Sequence, residues 1–148
     1  MVNRTELKSV LKEQVSKYPV CKQTTAFHYH LFTLHPELAQ YWDMEDLDPE
    51  MACRSQRMQR CGFEEMNLLF SLVTDLESED GWLKSVNECY EYYRDMGFPT
   101  ADQLTKFSDA MCKAMEEHAG GCTDAQQSAW REFFDYVLES MRNGGKFG

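Results

Sequence analysis

No segment of this chain of 148 residues reaches the roughly 18 to 20 uninterrupted apolar residues that a membrane-spanning helix needs. The stretch from Met1 to Lys12 is polar and charged rather than signal-like, so the cytoplasm is the expected location. No two of the six cysteines (Cys21, Cys53, Cys61, Cys89, Cys112, Cys122) form a CxxC pair, which removes the strongest sequence pattern for a zinc or redox site. Six reduced, mostly buried thiols are the expectation in that compartment. Basic residues are scarce, 15 Lys and Arg against 25 Asp and Glu, giving a formal charge of -10. Such a surface repels phosphate backbones and anionic lipid, which argues against nucleic acid and membranes as partners and leaves a protein partner of basic character. Strand-like alternation and internal repeats are missing too, and no histidine lies between His35 and His118.

What is present is apolar periodicity of the helical kind. With 43% hydrophobic and 13% aromatic residues the chain fills one core, so we expect a single domain over residues 3–142 and a frayed tail over 143–148. Asn3 with Glu6 starts a first helix with Leu7, Val10, Leu11, Val15 and Tyr18 on one face, ended by Pro19. A second helix is expected over Lys22 to Leu34, on Phe27, Leu31 and Leu34. Pro36 then opens a short third one through Leu38, Tyr41 and Trp42. Asp43 to Asp48 reads as a solvated acidic loop. Asp48-Pro49-Glu50 starts a long helix with its stripe at Met58, Gly62, Met66, Leu69, Val73 and Leu76, widened by Phe63, Phe70 and Leu72. Trp82, Leu83, Val86, Cys89, Tyr90 and Tyr93 trace a fifth, ended by Gly97 and Pro99. Capping boxes at Thr100/Gln103 and Thr123/Gln126 open the last two, whose stripes run from Leu104 to His118 and from Trp130 to Met141. The class is all-α, with about seven helices.

The order long helix, His35-Pro36, short helix, Trp42 resembles the B and C helices of a globin, with nematode globins the most similar. Cys61-Gly62 within the long helix, Phe98-Pro99, and the run Thr123-Asp124, Ala129-Trp130, Phe133 carry the resemblance from about Thr5 to Met141. It implies a globin-like fold and a haem pocket, whose iron the family holds with a histidine. Bracketed by Cys61-Gly62 and Phe98-Pro99, that proximal position falls on Tyr93. The same register puts Cys61 and Glu65 on the distal side, His28 where nematode globins carry a tyrosine, and Trp42 at the haem-stacking aromatic.

Two readings follow. In the first, haem is absent, Trp42, Tyr93 and His28 close the pocket, and Glu65 is bonded by Tyr93 or His28. The protein then works through a surface, as a binding or regulatory module rather than an enzyme. In the second, haem is kept with Tyr93 or His28 as an unusual axial ligand, which suits redox or gas sensing or oxygen or haem binding. Residue chemistry offers little else. His28 and His30 point to different helix faces, Glu64 and Glu65 diverge by about 100°, and Cys61 has cations at Arg57 and Arg60 but no histidine base. Tyr92, off the apolar face, is expected outside and forms with the Asp43–Asp48 segment the expected partner surface.

Overall fold

A computed structural model of the protein describes residues 3–19, 22, 25–97 and 101–144. Capping side chains set most of its helix boundaries. Helix α1 (Arg4–Lys17) starts where the Asn3 side chain accepts the Glu6 N–H at 3.1 Å, and stops at Tyr18, ahead of Pro19. Leu7 and Leu11 are buried on its inner face, and so is Gln14. That amide donates to the Gly121 carbonyl at 2.8 Å and accepts from the Trp130 indole at 2.7 Å, tying α1 to the turn before the last helix and to that helix itself. Val10 and Val15 are only half-buried.

Helix α2 (Ala26–Leu34) begins at Ala26 rather than Lys22, and Leu34, expected on the core face, is 42% exposed. A 3-10 turn (Pro36–Trp42) follows and buries Leu38, Ala39 and Trp42. The long helix expected after Asp48 is two helices, α3 (Pro49–Arg54) and α4 (Gln56–Thr74). Ser55 makes the break. Its backbone is extended, and its hydroxyl accepts the Met58 N–H at 3.1 Å while donating to the Ala52 carbonyl at 2.8 Å, so one side chain satisfies both helix ends. Met58, Gly62, Met66, Leu69 and Val73 are buried along α4 as the stripe predicts, but Phe63 faces out.

Helix α5 (Glu79–Asp95), capped by Ser78, buries Trp82, Val86, Cys89 and Tyr93 and leaves Leu83 exposed. Phe98-Pro99 and Thr100 lie outside the described residues. A 3-10 turn (Ala101–Lys106) leads into α6 (Phe107–His118). Gly120 and Gly121, at φ +81° and +123°, turn the chain, and the Thr123/Gln126 capping box opens α7 (Asp124–Asn143). Asn143 is the last residue of α7. Residues 145–148 lie outside the described residues. The five described cysteines, all but Cys21, carry free thiols.

The described residues form seven α-helices with no strand. Helix α2 lies against α3 and α6, α6 against α7, α4 against α5, and α1 crosses α4 and α7. Phe27, Leu31, Phe107, Met111, Trp130, Phe133 and Phe134 meet in one buried cluster. None of the described helices is long and apolar enough to cross a membrane.

Candidate functional site

Glu65 sits one residue before the buried Met66 on the core face of α4, and its own relative exposure is zero. A carboxyl group there costs several kcal/mol unless it is bonded, by the usual order of magnitude for burying polar groups. It is bonded from two helices. Oε1 lies 2.8 Å from Nε2 of His28, on α2, and Oε2 accepts the Tyr93 hydroxyl of α5 at 2.8 Å. The Tyr92 hydroxyl donates to the Cys61 carbonyl at 3.2 Å and lies 3.5 Å from Glu65 Oε1. Nε2 is thus the His28 nitrogen that meets Glu65, and Nδ1 is left without a hydrogen-bond partner.

Aromatic rings wall this network. His28 packs edge-on to Phe27 and Trp42, with centroids at 5.0 and 5.5 Å; Phe32 meets Trp42 at 5.3 Å, and Phe107 meets Tyr93 at 5.5 Å. Burial first, and then the Glu65 carboxylate, push the Tyr93 phenol well above its ordinary range. Tyr92 is pushed up by the same two causes, opposed in part by the Trp42 indole.

Four of the singled-out residues, His28, Trp42, Glu65 and Tyr93, therefore converge. Cys61 joins only through its backbone carbonyl, its thiol being half-buried at the edge. His30 turns away from His28 and lies 3.0 Å from Glu117, and Arg57 pairs with Asp43 at 2.9 Å. Among the described residues no three His, Cys, Asp or Glu side chains are grouped to hold a metal. One polar residue is misplaced by the sequence reading and another escapes it. Tyr92 is half-buried and part of the network rather than outside, and the periodic stripe gave no signal for it. Gln14 had one: it stands at helical spacing from Leu7, Leu11 and Tyr18 on a buried face. Chemically, a carboxyl group, an imidazole and a phenol without solvent exposure form a polar plug.

The globin family model matches residues 25–141, a span that holds every member of this network. The chain belongs to the globin family. Its fold is similar to that of the C. elegans globin-like protein GLB-1, with a TM-score of 0.78 over 99% of this chain and 98% of that one at 18% identity. This globin thus resembles a nematode globin in fold as well as in its short motifs. No curated protein sequence matches it.

Proposed function

We propose that this globin has given up haem and acts as a protein-binding or regulatory module. One observation carries the reading: the 2.8 Å hydrogen bond between Tyr93 and Glu65, residues that the family register assigns to opposite faces of a haem. A flat macrocycle between two side chains needs about 3.5 Å of van der Waals spacing on each face. The residues around the network do not fit one, since α4 and α5 are joined where it would lie. The tyrosinate that iron ligation requires is also opposed, because burial and Glu65 hold Tyr93 protonated. Protein titrated with one equivalent of hemin is expected to develop no intense Soret band, whereas Glu65→Val/Tyr93→His, which cuts the plug and supplies an imidazole, is expected to gain one. A stoichiometric Soret band in the unaltered protein returns the haem-binding reading.

The surface that best supports partner binding is a groove of about 500 Å³ between α4 and α5. Glu64, Glu88, Glu91 and Asp95 rim it, over Leu68, Met96 and the edge of Tyr92. Its complement is a basic segment of a partner protein that carries an apolar anchor between cations, in keeping with the charge of -10. The Asp43–Asp48 loop is less available, because Asp43 is engaged by Arg57 and Asp48 caps α3 at the Met51 N–H. Titration with a lysine-rich amphipathic peptide should shift the amide resonances of Glu64, Glu88 and Glu91 ahead of those of Glu45 and Asp46. Equal shifts across all acidic segments would reduce the effect to net charge and remove the groove from the proposal.

A further inference from the structure

The groove between α4 and α5 and the buried carboxyl group of Glu65 share a wall, the half-buried Tyr92 side chain. One edge of its ring lines the groove beside Glu64, Glu88, Glu91 and Asp95. Its hydroxyl lies on the other side, donating to the Cys61 carbonyl at 3.2 Å and standing 3.5 Å from Glu65 Oε1. That oxygen is the one that meets His28 Nε2 at 2.8 Å. The ring also stands edge-on to Tyr93, with centroids 5.2 Å apart and planes at 89°, and Tyr93 bonds to the second Glu65 oxygen. One side chain therefore faces both the acidic groove and the polar plug.

We propose, on the reading of the groove as the partner surface, that Tyr92 couples it to the buried His28–Glu65 pair, so that a basic segment seated between α4 and α5 changes the bond between those two residues. A phenol has one proton to donate, and two acceptors lie within 3.5 Å of this one. In one arrangement the hydroxyl serves the Cys61 carbonyl, and Glu65 Oε1 is left to His28. In the other it serves Oε1, and His28 shares that oxygen with a second donor. A partner's apolar anchor over Leu68 and Met96 presses on the ring edge and so selects between the two, because the edge it touches and the hydroxyl belong to one rigid ring. Charge acts along the same line: after burial, the first cause, Glu65 and more weakly Glu64 of the groove both push the phenol up, so it feels carboxylates on each side. Such coupling is reciprocal, and whatever loosens the His28–Glu65 bond alters the groove's affinity by the same factor.

Full-length protein titrated with the lysine-rich amphipathic peptide at fixed pH provides the test, read through the ring resonances of its four histidines. The His28 imidazole should shift along the same saturation curve as the Glu64, Glu88 and Glu91 amides. His30 and His118, both beside Glu117, and His35, beside Glu37, should stay in place. Tyr92→Phe keeps the ring and removes the proton, so at saturating peptide the His28 shift should be lost, with the amide spectrum checking that the variant folds. Groove amides that move while His28 stays fixed would overturn the coupling and leave the groove standing. No shift in either set would remove the groove, and the coupling with it. A His28 shift that survives in Tyr92→Phe, or equal shifts of all four imidazoles, would also overturn the proposal. If Tyr92→Phe does not bind the peptide, the wild-type Tyr92 ring resonances decide instead: they must move on the His28 curve, and their standing still would overturn the role of this ring.

Discussion

Tyr93→Ala is expected to lower stability by about 3–5 kcal/mol, the range for removing an aromatic side chain from a packed core. The ring is 1% exposed and packs against Phe107, so little solvent is available to relax into the space. Its hydroxyl is one of two close partners of Glu65, so the truncation also leaves a buried carboxyl short of a hydrogen bond. Tyr93→Phe separates the two effects. It keeps the ring and should lose about 1–3 kcal/mol, the penalty for an unsatisfied buried polar group. Urea unfolding of the three proteins measures both. If Tyr93→Ala costs less than about 0.5 kcal/mol, as a surface substitution does, Tyr93 does not plug the pocket.

Alkaline solution should unfold the protein cooperatively. Burial is the first cause that raises the ionisation of Tyr18, Tyr92 and Tyr93 above the ordinary value near 10, and that pushes Cys53 and Cys112 up to about 12 and Cys89 above its ordinary value near 9. Below these ordinary values both states keep their protons and the contribution to stability is complete. Above them the unfolded chain releases protons that the folded chain retains, so it binds fewer, and stability falls as pH rises. Each group withdraws about 1.4 kcal/mol per pH unit, so the three tyrosines together withdraw about 4 kcal/mol for each unit above 10. Against a typical total of about 5–15 kcal/mol, unfolding is expected within about one to four units. Phenolate absorbance followed alongside circular dichroism provides the check. Three of the seven tyrosines should ionise only as the helices melt. Seven phenols titrating together near pH 10 with the helical signal intact would refute the burial of these three.

Helix content, order and inner faces were legible in the amino-acid order, because apolar spacing and capping chemistry are local. Asn3, Asp48, Pro36 and the Thr123/Gln126 pair mark helix starts that short-range hydrogen bonds and proline geometry enforce. The absence of histidine between His35 and His118 was equally plain, as was the excess of acid. Boundaries suffered where a second interaction competed. The serine at position 55 caps its own break, which periodicity alone cannot register, and Phe63, Leu83 and Leu34 keep helical spacing yet find no neighbouring helix to cover them.

Only the tertiary structure decided what Glu65 meets. His28 precedes it by 37 positions and Tyr93 follows it by 28, and each lies on a separate helix, so their meeting depends on how α2, α4 and α5 pack. Composition and spacing therefore determined that this chain makes a globin's helices with unusual residues facing inward. Whether those residues would bond to one another was set by packing, because a hydrogen bond requires a separation near 3 Å that no one-dimensional pattern encodes.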